Sequence, residues 1–228
     1  MANQPARRRT RRRARPRRAV AARTPPLANV LRRVCAELTA AGARYALVGG
    51  LAVSARAEPR LTRDVDLAIA ADGDDAAEAI VRALASRGYQ VATVLEHTGT
   101  GRLATVRLRA PDDRILVDLL FASCGIESEI VAAAQLLEIL PALRVPVART
   151  GHLIAMKLLA MDARRRPQDA DDIRALLEVA AAGERRLVMT AISAITTRGF
   201  ARRRDLRAAW AKVQAASSSR SRSRLRNA

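Results

Sequence analysis

The spacing of hydrophobic residues changes several times along the chain, and each change marks a predicted element. From Leu27 to Leu38 apolar residues recur at helical spacing, which predicts a helix that ends at Gly42. Short apolar runs bounded by glycine, proline or aspartate predict strands instead. The predicted strands lie at 45–48, 65–69, 89–95, 103–109, 115–121 and, as a short extended piece, 145–147. Further helices are predicted at about 51–57, 72–87, 127–134, 151–163, 169–182, 185–197 and 203–215.

The order of these elements predicts an α+β (α/β) fold. Strands with intervening helices come first and helices alone come last. We therefore expect a small mixed β-sheet core flanked by helices, followed by a helical C-terminal subdomain. The predicted division is a disordered arginine-rich tail at 1–26, the core at 27–148, the helical subdomain at 149–215 and a disordered serine/arginine tail at 216–228.

The charge of the chain is concentrated near its two ends. Of the net charge of +19 over 228 residues, residues 1–24 carry +10 and residues 202–228 carry +8, which leaves the middle nearly neutral. Blocks of like charge repel, stay unfolded and often act as arms on nucleic acid, where arginine contacts to phosphates give salt-dependent affinity. The alternative is that both tails are solvated by-products of an arginine-rich coding sequence.

Several classes of protein are disfavoured by composition and by missing motifs. No apolar run approaches the roughly 20 residues that span a bilayer, so no membrane partner is expected. Two cysteines, Cys35 and Cys124, are too few for a disulfide framework and indicate a reducing compartment, which predicts a cytoplasmic protein. The Gly-x-x-x-x-Gly-Lys motif of P-loop ATPases does not occur in the sequence.

The segment that carries candidate chemistry joins a Gly-Gly pair to two carboxylates. The strand at 45–48 runs into Gly49 and Gly50, where the missing side chains permit a tight turn into a helix and the close approach of a phosphate. Asp64 and Asp66 follow two apart on a strand, so both carboxylates face one side. Such a pair repels unless a divalent cation lies between them, and hard oxygen ligands suit Mg²⁺ bound together with phosphates.

Asp118 is the third candidate carboxylate. It interrupts the otherwise apolar strand at 115–121, where burial of a lone carboxylate is costly unless it is paired or bound to metal. Three carboxylates on adjacent strands can hold two metal ions, which activate a nucleophile and neutralise a leaving pyrophosphate. The alternative for Asp118 is a structural carboxylate that pairs with a nearby arginine.

This pattern resembles the signature of the polymerase-beta superfamily of nucleotidyltransferases, in which Gly-Gly or Gly-Ser precedes Asp-x-Asp and a later third aspartate. More narrowly, three segments resemble the AbiEii-type abortive-infection toxins, which are minimal nucleotidyltransferases of type IV toxin–antitoxin systems. These segments are 49–52 (GGLA), 60–67 (RLTRDVDL) and 153–160 (LIAMKLLA). The resemblance covers roughly 27–182.

Carried over to this chain, the resemblance implies a divalent-metal site beside a triphosphate site. Asp64 and Asp66 would ligate Mg²⁺ or Mn²⁺. Asp118 would act as the third ligand or as the base that deprotonates an acceptor hydroxyl. Gly49 and Gly50 would contact the triphosphate of the nucleoside triphosphate substrate.

Further nucleotide contacts are implied for Arg60, Thr62 and Lys157. Arg60 offers a planar fork of donors to phosphate, and Lys157 lies on the later helix where the family carries a lysine thought to touch nucleotide phosphates. Asp169 is a secondary candidate in the acidic pattern that follows. Gln168 stands where a lysine is usual in relatives, which puts a phosphate contact from that position in question.

The predicted function is Mg²⁺-dependent transfer of a nucleoside monophosphate from a nucleoside triphosphate to an acceptor hydroxyl. An RNA acceptor, such as a tRNA end, agrees with the basic tails, and the resemblance implies a toxin held in check by a cognate antitoxin. Two alternatives stay open: a small-molecule acceptor, as in the aminoglycoside nucleotidyltransferases, or a non-catalytic nucleic-acid-binding protein that keeps the fold. The sequence determines neither the nucleotide nor the oligomeric state.

Overall fold

A seven-stranded mixed β-sheet lies at the centre of the protein in a computed structural model, which describes residues 26–111, 114–162 and 166–226. The strands are β1 (Arg44–Val48), β2 (Asp64–Ala70), β3 (Gln90–Glu96), β4 (Leu103–Arg109), β5 (Leu116–Leu120), β6 (Gln135–Leu140) and β7 (Leu143–Val147). Their order across the sheet is β3-β4-β5-β2-β1-β7-β6. The pairs β2–β5 and β1–β7 are parallel, and the other neighbouring pairs are antiparallel.

Helices pack around this sheet and follow it. Within the described residues they are α1 (Pro26–Ala40), α2 (Gly49–Arg56), α3 (Asp74–Ala85), α4 (Glu127–Ala132), α5 (Thr150–Ala160), α6 (Gln168–Glu178), α7 (Glu184–Thr197) and α8 (Leu206–Arg226). Helices α1, α2 and α4 contact the central strands β1 and β2, whereas α5 packs against α6 and α7. The predicted fold class, a mixed sheet flanked by helices and followed by a helical part, is confirmed. Across the described part of the chain, no helix combines the length and apolarity needed to cross a bilayer.

Alternation along the central strands separates the core from a polar face. On β2, Val65 and Leu67 are fully buried, while Asp64 and Asp66, which alternate with them, remain partly exposed. Successive side chains of a strand point to opposite faces, so the apolar residues enter the core and the two carboxylates emerge on the other side. The pattern that makes β2 a strand therefore also presents its acidic residues together.

Two parts of the chain differ from the predicted elements. Strand β6 was not predicted, because its sequence QLLEIL lacks polar–apolar alternation and is rich in leucine, which also suits helices. Pairing with β7 gives this segment its strand conformation. The backbone of α8 is helical to Arg226, and so runs into the segment 216–228 that was predicted to be disordered. The predicted tail at 1–26 lies outside the described residues except for Pro26, and the division into domains stays a prediction.

Candidate active site

Three aspartates meet on neighbouring strands near the middle of the sheet. In the parallel pair β2–β5, Asp66 lies directly opposite Asp118, and Asp64 lies two residues earlier on β2. All three side chains line one cavity with a volume of about 530 Å³. The structure thus brings together the three carboxylates that the sequence marked as candidates, although residue 118 is far from the other two along the chain.

Burial, together with the crowding of these carboxylates, raises the pKa of Asp66 to about 6. Burial is the largest cause, and the negative charges of Asp118 and then of Asp64 add to it. The positive charge of Lys157 and a hydrogen bond donated by the Gly50 N–H act in the opposite direction. Since like charges held close together disfavour ionisation, a cation bound among them would relieve the repulsion.

Gly49 and Gly50 form a glycine corner between β1 and α2, and this corner lies directly against the carboxylate cluster. Strand β1 ends at Val48 and helix α2 begins at Gly49, whose φ of +63° lies in the left-handed region. A Cβ atom at Gly49 would overlap the carboxylate of Asp66. A Cβ atom at Gly50 would lie 2.5 Å from Nη2 of Arg60. Gly49 therefore needs glycine for two independent reasons, its φ and its contact with Asp66, whereas a side chain at position 50 would require Arg60 to shift.

We expect Gly49→Ala to displace Asp66 and to reduce nucleotidyl transfer by about 100-fold, because small misplacements of a site residue are costly. Gly42→Ala is the matched control, since Gly42 has a similar φ of +69° but open space around the missing Cβ. It should lose only about 1 kcal/mol of stability from backbone strain and keep its activity. Equal activity losses in the two variants would contradict the contact with Asp66; initial rates and thermal unfolding measure both effects.

Lys157 belongs to a buried ion-pair cluster behind the cavity wall. Its Nζ lies 2.8 Å from Oδ1 of Asp169 and 2.6 Å from Oδ2 of Asp172, and the three side chains are almost completely inaccessible to solvent. Arg60 Nε approaches Oδ1 of Asp172 at 3.3 Å, and Arg166 Nε approaches Oδ2 of Asp169 at 2.9 Å. The cluster therefore joins α5, α6 and the loop that precedes β2.

The residues with implied nucleotide contacts occupy different places around this cluster. Arg60, Thr62 and Lys157 line the cavity, beside the carboxylates and the glycine corner. Asp169 is fully buried against Lys157 and is not among the residues that line the cavity. Gln168, the departure from the family pattern, does line it. Arg60 and Thr62 thus lie where a nucleotide in the cavity would contact them, whereas Nζ of Lys157 is held by the buried carboxylates of Asp169 and Asp172.

Arg107 was missed by the sequence reasoning and is the nearest partner of Asp118. The two residues face each other across the antiparallel pair β4–β5. The guanidinium donates two hydrogen bonds, from Nε to Oδ1 at 2.7 Å and from Nη2 to Oδ2 at 2.6 Å. Hydrogen bonding to Asp118 is the main cause of the raised pKa of Arg107. The arginine partner considered for Asp118 therefore exists, and it lies within the same cavity.

Arg202, to which no sequence motif points, reaches the cavity from the loop between α7 and α8. Arg202 and Arg203 have φ values of +51° and +60°, an unusual pair of non-glycine residues in the left-handed region. Nη2 of Arg202 donates a hydrogen bond to the carbonyl of Ser123 at 3.1 Å. The loop that holds Ser123 is itself fixed by Glu127, which accepts the N–H of Ser123 at 2.7 Å. Backbone strain of this kind is often found at active sites, where a side chain must be held in one orientation.

The donor set of the cavity suits a hard divalent cation. Asp64, Asp66 and Asp118 offer carboxylate oxygens, and the absence of a Cβ at Gly49 makes room for the carboxylate of Asp66 itself. Within residues 26–111, 114–162 and 166–226, no three acidic, histidine or cysteine side chains are already arranged as a metal site. Both oxygens of Asp118 are occupied by Arg107. The three carboxylates thus suit a divalent cation, provided that Arg107 moves away from Asp118.

A mixed sheet that presents aspartates on two parallel strands beside a glycine corner defines the class of protein as a nucleotidyltransferase. The family model described as "Nucleotidyl transferase AbiEii toxin, Type IV TA system" matches residues 30–226, and the chain belongs to this family. The resemblance inferred from the sequence is thereby confirmed, and so is the prediction that the protein is an enzyme of this class.

Two solved structures are similar to this chain at low sequence identity. An antigenic nucleotidyltransferase-like protein from Paracoccidioides brasiliensis is 19% identical, with a TM-score of 0.49 over 81% of this chain and 91% of that one. The antibiotic-resistance factor ANT(2'')-Ia is 16% identical, with a TM-score of 0.50 over 75% of this chain and 91% of that one. No curated protein matches the sequence significantly.

Proposed function

We propose that this chain transfers a nucleoside monophosphate from a nucleoside triphosphate to a hydroxyl group of RNA, with Mg²⁺ or Mn²⁺ as cofactor. The observation that carries the proposal is the placement of Asp66 opposite Asp118, next to Gly49 at the start of α2, within one cavity. Membership of a type IV toxin family supports a further part of the proposal, that the enzyme acts as a toxin and has a cognate antitoxin as partner.

The glycine corner supports binding of the triphosphate. Helix α2 begins at Gly49, so its first backbone N–H groups and the positive end of its dipole lie at the cavity. Phosphates bind well at such a position, because N–H donors and partial positive charge coincide there, although the Gly50 N–H already donates to Asp66. Arg60, whose Nη2 lies beside Gly50, adds a guanidinium fork of the kind that pairs with phosphate oxygens.

The proposed reaction is an in-line displacement at the α-phosphorus. The acceptor hydroxyl oxygen forms a new bond to that phosphorus, and the bond from phosphorus to the bridging oxygen breaks, so pyrophosphate leaves with the electron pair. The hydroxyl proton passes to a base, for which Asp118 is the candidate when it is not a ligand. Asp64 and Asp66 would hold the divalent cation, which when bound neutralises phosphate charge. Catalysis would otherwise rest on positioning.

The charges around the cavity support an anionic acceptor over a polycationic one. Among the described residues that line it, the acidic side chains are Asp64, Asp66 and Asp118, all of which are the proposed metal ligands. The remaining charged groups there are cationic: Arg60, Arg107, Lys157, Arg166 and Arg202. Arg60, Lys157 and Arg166 are already paired with the buried Asp169 and Asp172, and Arg107 is paired with Asp118. Arg202 bonds a backbone carbonyl instead, so it is the cation that an RNA phosphate would pair with and that the ammonium groups of an aminoglycoside would oppose. The charge of Arg202 in the cavity thus supports an RNA acceptor in addition to the basic tails.

The direct test is label transfer from each of four α-³²P-labelled nucleoside triphosphates to tRNA, to total protein and to a panel of aminoglycosides. We expect Mg²⁺-dependent labelling of RNA. Labelling of aminoglycosides alone would replace the proposed acceptor by a small molecule. RNA binding without labelling of any acceptor, under any metal, would favour a non-catalytic nucleic-acid-binding protein.

A matched pair of arginine variants tests the proposed contact between Arg202 and an RNA acceptor. We expect Arg202→Gln to raise the KM for RNA about tenfold and to weaken its dependence on salt, because one charge-assisted phosphate contact is lost. Arg203→Gln is the control, since its residue has a similar φ and is exposed but does not line the cavity. The KM for the nucleoside triphosphate should change little in either variant. Equal RNA kinetics of the two variants would remove Arg202 from the acceptor site.

A further inference from the structure

In the ion pair of Arg107 with Asp118, the arginine side chain is much freer to move than the aspartate side chain. Asp118 is a buried residue on the central strand β5, with an exposed fraction of 8%. The Arg107 side chain is 43% exposed and enters the cavity from β4. When the pair breaks, it is therefore the arginine that rotates, into solvent or toward a new partner, while the aspartate keeps its place beside Asp66.

The guanidinium occupies the position that a cation would take at this carboxylate. Its two hydrogen bonds engage both oxygens of Asp118, and its charge partly neutralises the cluster formed with Asp64 and Asp66. A divalent cation bound to the same carboxylate would lie close to the guanidinium and be repelled by it. Arginine and metal therefore compete for Asp118.

A nucleoside triphosphate offers the arginine an alternative partner. Phosphate oxygens match the guanidinium fork as well as a carboxylate does and carry more charge. The triphosphate would enter the cavity that Arg107 already lines. Loading of the nucleotide would thus draw the arginine away from Asp118 at the moment when a divalent cation arrives with the phosphates.

We propose that Arg107 blocks the third carboxylate of the unloaded enzyme and releases it when a nucleoside triphosphate binds, so that the carboxylate cluster takes a divalent cation strongly only together with the nucleotide. The inference rests on the proposed function for the identity of the nucleotide, and on the contacts of Arg107 for the competition itself. It gives Arg107 a positioning role, and it couples two binding events that would otherwise be independent.

Binding of Mn²⁺, followed by the electron paramagnetic resonance signal of the free ion, tests the competition without any turnover. For the full-length wild type we expect a non-hydrolysable ATP analogue to tighten Mn²⁺ binding about tenfold or more beyond the analogue's own affinity for the ion. In Arg107→Gln, Mn²⁺ should bind about tenfold more tightly than to wild type when no nucleotide is present. Arg109→Gln is the control, because Arg109 is an exposed arginine on the same strand and face that does not line the cavity.

Thermal unfolding supplies a second readout. Arg107→Gln leaves a buried carboxylate without its partner, so its Tm should fall, and Mn²⁺ alone should restore it. The double variant Arg107→Gln/Asp118→Asn should regain stability and lose the added Mn²⁺ affinity. If Arg107→Gln does not fold, Arg107→Lys, which cannot pair in the two-bond geometry, should show a smaller gain in Mn²⁺ affinity.

The proposal is overturned if Arg107→Gln binds Mn²⁺ no more tightly than Arg109→Gln, or if wild type binds Mn²⁺ equally well with and without the nucleotide analogue. These outcomes are distinct from failure of the proposed function. Absence of label transfer with intact coupling of Mn²⁺ to the nucleotide would leave the competition standing and refute only the enzymatic proposal.

Discussion

Replacing Asp66 with asparagine should abolish nucleotidyl transfer, by about 10³-fold or more, while leaving the protein folded. The carboxylate lies between Asp64 and Asp118 in the cluster proposed to hold the cation, and the amide of asparagine is a much weaker ligand for Mg²⁺. Label transfer to RNA measures the loss. Asp72→Asn, at an exposed aspartate of the turn before α3, is the control and should retain full activity.

The same Asp66→Asn variant should be more stable than wild type in metal-free buffer at neutral pH. The folded pKa of Asp66 is about 6, above the ordinary value of about 4, so the folded state holds more protons than the unfolded state between these values. Stability therefore falls as pH rises through this window, and asparagine removes the loss. Allowing for the partial exposure of Asp66, we expect a gain of about 1–2 kcal/mol above pH 6 and none below pH 4.

Urea unfolding of both proteins in the presence of a chelator, at several pH values, measures this difference. Retained transfer in Asp66→Asn would refute the carboxylate cluster as the catalytic site. An inactive variant that is also less stable than wild type at neutral pH would instead contradict the argument from repulsion.

Lys157→Met should destabilise the protein by about 3 kcal/mol or more and lower the Tm by about 6–12 °C. Among the residues that the structure describes, the substitution leaves the buried carboxylates of Asp169 and Asp172 with Arg166 and Arg60 as their cationic partners. An uncompensated buried charge costs far more than loss of an exposed ion pair. Calorimetry at neutral pH measures the effect directly.

The chain offers a close control in Lys212, its only other lysine, which is exposed on α8. Lys212→Met should leave the Tm within about 1–2 °C of wild type. The triple variant Lys157→Met/Asp169→Asn/Asp172→Asn should regain much of the lost stability, because the amides can still accept from Arg60 and Arg166. A wild-type Tm in Lys157→Met would show that the buried cluster does not hold α5 and α6 together.

Stability and nucleotide affinity separate the two roles that Lys157 can have. If the lysine also contacts phosphate, as the resemblance implies, the triple variant should recover stability but bind nucleotide weakly. Recovery of both properties would make Lys157 a purely structural residue, and the predicted contact would then be wrong.

The part of the site that sequence reasoning found is the part that local geometry dictates. Asp64 and Asp66 share a face because they lie two apart on a strand, and Gly49 follows directly from the end of β1. The position of Asp118 next to them depends on the sheet order, which places β5 beside β2 although β3 and β4 lie between them in the chain. Its apolar neighbours in the sequence indicated a buried carboxylate, and such a group needs a cationic partner or a metal ion.

The residues that were missed depend on pairings between distant segments. Arg107 could have been found from the hairpin of β4 and β5, since a register that sets 109 against 116 also sets 107 against 118. Arg202 could not, because its place depends on how the loop after α7 packs near Ser123, more than seventy residues away. Strand β6 was not predicted for a related reason. Its pairing with β7, and not the hydrophobic pattern of its own sequence, makes it a strand.

The cavity wall draws on side chains from Val48 to Arg202. During synthesis the aspartates of β2 and β5 leave the ribosome well before the loop between α7 and α8 does. An interrupted translation product that stops before this loop would therefore carry the carboxylates without Arg202, and with one side of the site open to water. Completion of the chain through this loop thus decides whether a nascent protein has a closed site or one that lacks the wall formed by Arg202.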